Sequence, residues 1–112
     1  MENRENVVIF ITTGTDEEAD EVAKALLKNR YAACVNIVPK INSLFWWHDK
    51  LDSARESLLI VKSKASLLHE IVRLVKEVHS YEIPEIVALP IIGGNPDYLS
   101  WIGKEIKQDT GG

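Results

Sequence analysis

Apolar residues fall along this chain in two rhythms, every second position or every third to fourth, and the switches between them lay out its elements. Residues 7–13, VVIFITT, form a continuous β-branched and aromatic run, the pattern of a strand covered on both faces. Thr15 and Glu18 then have the spacing of a capping box, with Thr15 bonding forward and Glu18 reaching back. Ala19, Val22, Ala23, Leu26 and Leu27 follow at helical spacing, so a helix runs to about Asn29. Alternation returns in AACVNIV, where Ala33, Val35 and Ile37 share a face, and Pro39 breaks it as a bulge or an edge position. In INSLFWW it resumes with Ile41, Ser43, Phe45 and Trp47 on one face and Leu44 and Trp46 on the other. HDK supplies a turn, and LDSARESLLIVKSK returns as a third strand. The spacing of Leu67, Leu68, Ile71, Leu74, Val75 and Val78 predicts a second helix, and EIVALPI a fourth strand. Asn95, Pro96 and Asp97 then open a short helix carrying Tyr98, Leu99, Trp101 and Ile102.

This order, β-α-β-β-α-β with an added C-terminal helix, predicts an α+β protein, a ferredoxin-like sandwich with a long hairpin between its second and third strands. The 112 residues are read as one domain over 1–112 with its core at about 7–106, and the polar ends MENREN and KQDTGG are expected to fray. One dimension does not fit an isolated copy. Residues 32–48, if extended, span roughly 50 Å at about 3.3 Å per residue. A domain of this size is only about 35 Å across. The hairpin must bend or project, and its tip carries Phe45, Trp46 and Trp47, an apolar patch that another subunit is expected to cover.

Charge and cysteine usage narrow the function classes. A net charge of −4 with scattered basic residues argues against a nucleic-acid or anionic-membrane partner. The N-terminal apolar run is too short for a membrane span. A single cysteine, Cys34, excludes an internal disulfide and suits the cytoplasm.

The candidate chemistry is concentrated in HSYEIPE, residues 79–85. His79 stands where a helix C-cap is expected, and either caps the helix or serves as a ligand with partners from elsewhere in the fold. Glu82 and Glu85 are solvated acids unless burial drives them apart. Tyr81 either packs half-buried or reaches a hydrogen-bond partner. Cys34 reads as a small buried hydrophobe or as a thiolate ligand or nucleophile. An enzyme would need Cys34 within reach of His79. No GxSxG, HExxH or Walker pattern is present, so no catalysis is expected. Polarity and position suggest Trp47, Lys62, Tyr81 and Glu82 as the lining of a ligand cleft.

Four blocks, AACVNIVPKINSLFWW, ESLLIVKSK, HSYEIPEIVALPI and GNPDYLSWI, together resemble the CutA divalent-cation tolerance family, in the right order from about residue 7 to 106. The resemblance implies a tight homotrimer like that of the PII nitrogen-regulatory proteins, with long hairpins extending sheets across subunit boundaries. It implies tolerance to copper and other divalent cations rather than a reaction, with cations such as copper or zinc held at inter-subunit clefts near His79, Cys34 and Glu56, and no obligatory cofactor. The alternative is a PII-like signalling or interaction trimer that binds a small ligand or a protein partner. His79, Tyr81, Glu82, Pro84 and Glu85 match the family's His-Pro-Tyr-Glu-x-Pro-Glu segment, with Ser80 in place of the proline. At the tip, Asp49 stands where glycine is usual. Copper-binding bacterial members are expected to carry a cysteine at the end of the first strand and paired histidines before the tyrosine. Here those places hold Thr12 and Val78, which are poor ligands for a soft cuprous ion.

Overall fold

A short central strand sets the proportions of this protein. The structure, a computed structural model, describes residues 5–106; the outermost residues expected to fray lie outside that range. β1 (Asn6–Thr13) lies between β3 (Lys50–Lys64) and β4 (Ile86–Pro90), and β2 (Cys34–Trp47) sits beyond β3. All pairings are antiparallel, in the order β2-β3-β1-β4. β1 pairs only with Ser57–Lys64 of β3, so the other half of β3 has β2 as its sole partner and the two project as an arm. The molecule is accordingly elongated, 45 × 26 × 23 Å.

Helix α1 (Asp16–Lys28) and helix α2 (Leu68–Val78) cover one face of the sheet. Ala19, Val22, Ala23 and Leu26 of α1, with Ile71 and Val75 of α2, meet Val7, Ile9, Ile11, Leu59 and Val61 of the two central strands. Burying each large aliphatic side chain there contributes about 1.5–3 kcal/mol. α1 ends in a Schellman motif, with Arg30 N–H to Leu27 C=O and Tyr31 N–H to Leu26 C=O, both at 3.0 Å, and Arg30 left-handed at φ 59°. Helix α3 (Pro96–Glu105) begins as its sequence predicts, with the Asn95 side chain accepting from Asp97 N–H at 3.0 Å. It touches β3 and β1, yet its buried Ile102 stands apart from the α1–α2 core, which puts α3 over the opposite face of the sheet.

Pro39 does more than interrupt β2. Between Val38 and Ile41 the strand advances three residues while β3 advances two, from Leu58 to Glu56, and Lys40 takes up the extra residue at φ 61°. Because side chains alternate with period two, this one-residue bulge inverts the facing of everything beyond it. Odd-numbered residues such as Val35 pack on the helix side before the bulge. After it, Ile41, Ser43 and Phe45 stand opposite Glu56, Ala54 and Asp52, on the face away from α1 and α2. The alternation in INSLFWW is therefore real, but it serves a different surface from that in AACVNIV.

The arm closes on two residues rather than the three of HDK: Trp47 pairs with Lys50, and His48 and Asp49 both have positive φ, 51° and 64°. That is the type I′ geometry whose right-handed twist suits a hairpin and which favours Asn-Gly or Asp-Gly. A left-handed conformation disfavours a non-glycine residue by about 1–2 kcal/mol. Asp49→Gly is therefore expected to raise stability by about 1 kcal/mol, seen as a higher urea midpoint with unchanged slope. A lowered midpoint would show that the aspartate side chain contributes more than its backbone strain removes.

Candidate functional site

The β1–α1 turn, the segment after α2 and strand β3 converge where β1 ends. α2 stops at His79, whose backbone N–H still caps Val75 C=O at 2.9 Å but whose own backbone is extended. The ring then turns inward and is fully buried. Nε2 lies 2.7 Å from the Thr12 carbonyl, and Nδ1 accepts from Tyr81 N–H at 3.0 Å. A carbonyl can only accept and a backbone N–H can only donate, so these partners assign the proton to Nε2. Both ring nitrogens are thus engaged, and a cation could reach the Nδ1 lone pair only by displacing Tyr81 N–H.

Glu18 completes the junction. Thr15 caps α1 as expected, accepting from Glu18 N–H at 3.0 Å. The carboxylate does not return to Thr15. Oε1 accepts from Gly14 N–H at 3.3 Å, Oε2 accepts from Ser80 N–H, and Oε2 lies 3.8 Å from His79 Nδ1. Burial pulls the carboxyl upward, but the Ser80 and Gly14 bonds outweigh it and hold Glu18 below its ordinary range. One side chain on α1 therefore ties the β1–α1 turn to the segment after α2.

Tyr81 carries this order to β3. Its hydroxyl donates to Glu56 Oε2 at 2.7 Å. Burial, this bond and the charges of Glu56 and Glu18 push the phenol up to about 12. The ring lies against Gly14 so closely that an added Cβ there would stand 3.1 Å from the Tyr81 hydroxyl. The missing side chain at Gly14 makes room for this approach, and its φ is not positive. Glu56 is 92% buried on the arm, beside Ser57, whose hydroxyl donates to Asp16 Oδ1. His79 and Tyr81 rings also touch, with centroids 4.8 Å apart.

Between this junction and the arm runs an open groove of about 800 Å³. Phe45, Trp46, Trp47 and Tyr81 are its aromatic lining residues, and Asp52, Glu56, Glu82 and Glu85 its acidic ones. Among the described residues no lysine or arginine lines it. The fold thus brings Trp47, Tyr81 and Glu82 to one surface. Lys62, the fourth residue suggested for that cleft, lies elsewhere: it pairs with Cys34, and its ammonium donates to Asn36 Oδ1 and approaches Cys34 Sγ at 4.0 Å. Tyr98 of α3 joins this second group, its phenol raised by burial and by its contact with Cys34.

The three residues named as cation ligands, His79, Cys34 and Glu56, do not meet within one chain. Cys34 stands opposite Lys62, six residues from Glu56 and so about 20 Å along β3. Among the described residues no group of three or more His, Cys, Asp or Glu side chains is placed to hold a metal ion. Sequence reasoning did not anticipate Glu18 as a tie, Gly14 as a seat for Tyr81, or Asp52 as a groove acid. Their signals were present only as a capping spacing, a lone turn glycine and one polar position on a strand.

Residues 7–105 match the family described as CutA1 divalent ion tolerance protein. The Thermus thermophilus divalent-cation tolerance protein CutA is 42% identical over 104 residues, covering 93% of this chain and 97% of that protein. The rice protein CutA 1, described as chloroplastic, is 40% identical over 103 residues, 92% of this chain; the chain spans only 58% of that longer relative. A solved structure from Archaeoglobus fulgidus, described as a periplasmic divalent cation tolerance protein CutA, superposes with TM-score 0.88 at 42% identity, covering 91% of this chain and 99% of the other. Among the described residues no helix is long and apolar enough to cross a membrane.

Proposed function

Because the chain belongs to the CutA1 divalent ion tolerance family, we propose that it serves metal tolerance as a homotrimer that captures divalent cations as cargo at the clefts between its subunits, without catalysis. The family is named for ion tolerance and not for a reaction. The observation that carries the reading is the sign of the groove. Among the described residues four acidic and no basic residues line one open channel, a lining that raises the local concentration of cations and repels anionic ligands such as nucleotides.

The apolar surface of the arm supports the trimer: Leu44 and Trp46 are more than 70% exposed, and Trp47, Leu51 and Ile83 are also uncovered. A neighbouring copy seated on that arm would bring its own groups to the groove and complete a coordination shell that one chain does not supply. Glu56, Glu82 and Glu85 are hard oxygen donors and His79 braces the wall behind them; copper and zinc are the cations to test. A reducing compartment such as the cytoplasm suits the single thiol.

The test is calorimetric titration of the purified protein with Cu²⁺ and Zn²⁺, wild type against Glu82→Gln/Glu85→Gln. Saturable binding weakened at least tenfold in the double variant is expected. Absence of heat with both metals, or equal affinity in the two proteins, would overturn cation capture in this groove.

A further inference from the structure

Cys34 carries the only thiol of this chain, yet its sulfur is not isolated. Polar groups from three elements gather on it, at the opposite end of β2 from the apolar tip of the arm. Lys62 is its register partner on β3, and the ammonium lies 4.0 Å from Sγ. That ammonium also donates to Asn36 Oδ1, which itself lies 3.9 Å from Sγ. From α3 the Tyr98 hydroxyl meets the sulfur, and the Tyr98 ring stacks on Trp101 with centroids 5.5 Å apart. Residues directly opposite on antiparallel strands keep their Cβ atoms about 4.5–5.5 Å apart, so the strand register itself holds sulfur and amine within reach of each other. Cys34 and Lys62 are both half-buried, and neither lines the groove.

An oxidised cysteine reaches a stable state by condensing with a second thiol or with a nearby nitrogen. This chain has no second thiol, and the side-chain nitrogen placed at the sulfur is Lys62 Nζ. We propose that Cys34 and Lys62 are a peroxide-sensitive pair whose oxidation joins β2 to β3 through a reversible sulfur–nitrogen bond. Hydrogen peroxide takes two electrons from the Cys34 thiol, giving the sulfenic acid and a molecule of water. The Lys62 ammonium passes a proton to the sulfenic hydroxyl, which departs as a second water while the freed amine lone pair closes on sulfur. The new S–N group then gives its surplus proton to solvent. A thiol reductant attacks the sulfur and releases the amine, and a second equivalent restores the Cys34 thiol as the reductant becomes a disulfide. Both reacting groups belong to one chain and the oxidant is little larger than water, so the reaction needs no open cleft and no group from a neighbouring copy. It is also independent of cation capture in the groove.

The experiment is peptide mapping by mass spectrometry of the whole protein after treatment with hydrogen peroxide and alkylation of any remaining thiol. The expected product joins the Cys34 and Lys62 peptides with the loss of two hydrogens, and dithiothreitol undoes it. Lys62→Arg keeps the positive charge without the nucleophilic amine. With the circular dichroism of the wild type, that variant should lose the link and leave Cys34 as a sulfenic acid that dimedone traps. A link that forms equally in Lys62→Arg, a loss of two hydrogens confined to the Cys34 peptide, or a disulfide between two copies as the main product would overturn the proposal. So would a thiol that peroxide leaves intact in the folded protein and oxidises only after unfolding in urea.

Discussion

Glu18→Ala is expected to lower the stability of the folded chain by about 3 kcal/mol, the sum of two backbone N–H bonds to a charged acceptor that have no replacement. The substitution is on α1, yet its effect falls on the groove, because the lost bond from Ser80 N–H is what holds the segment before Tyr81 against the β1–α1 turn. Urea unfolding measures the first part. Alkaline titration of the tyrosines measures the second: in the wild-type protein the Tyr81 phenol holds its proton to about 12, and release of Ser80 should bring it down toward the ordinary value of 10.0 as the contact with Glu56 loosens. The pH dependence has a definite sign. The Glu18 carboxyl is lowered by folding, so its contribution is fully present above the ordinary value of 4.5 and is lost as pH falls through the folded value. The stability difference between wild type and Glu18→Gln should therefore be constant at neutral pH and shrink below about 4.5. A difference that persists undiminished in acid, or an unchanged Tyr81 ionisation in Glu18→Ala, would show that Glu18 does not brace the groove wall.

Placing charge on the arm should divide the assembly without unfolding its parts. Leu44 and Trp46 share one face of β2 beyond the bulge, pair only with Ser53 and Leu51 of β3, and belong to no core cluster. Leu44→Glu/Trp46→Glu therefore leaves the sheet and the α1–α2 core as they are. If a neighbouring copy covers both side chains, each seam loses roughly 3–6 kcal/mol of apolar burial, about a hundred- to ten-thousandfold or more in affinity. Sedimentation at micromolar concentration should then change from a mass of three copies to a mass of one, with the circular dichroism of the wild type. A wild-type protein that sediments as a single copy would refute the trimer, and a double variant that stays trimeric would place the seam elsewhere on the molecule.

The element plan was legible because its signals are local. The Thr15 and Asn95 caps, the helical stripe through Ile71 and Val75, and the strand runs depend on residues a few positions apart, and each forms as its spacing predicts. The overlong hairpin was legible for a simpler reason, since strand length scales with residue count and a small core does not. The candidate site was legible only as a set of residue types. His79 reads as a helix cap, and its N–H does cap, but its ring is recruited by a carbonyl 67 positions earlier in the chain.

By itself, then, the amino-acid order determined the β-α-β-β-α-β plan, the protruding arm and the family to which they belong. Only the tertiary structure decided that one extra residue at Lys40 turns Phe45 away from the helices, that Glu18 abandons its own cap for Ser80, and that Cys34 and His79 stay apart. The physical reason is range. Propensity, capping and periodicity act over one or two turns of backbone, whereas a buried hydrogen bond takes whichever partner the packing brings within 3 Å, however far away it lies in the chain.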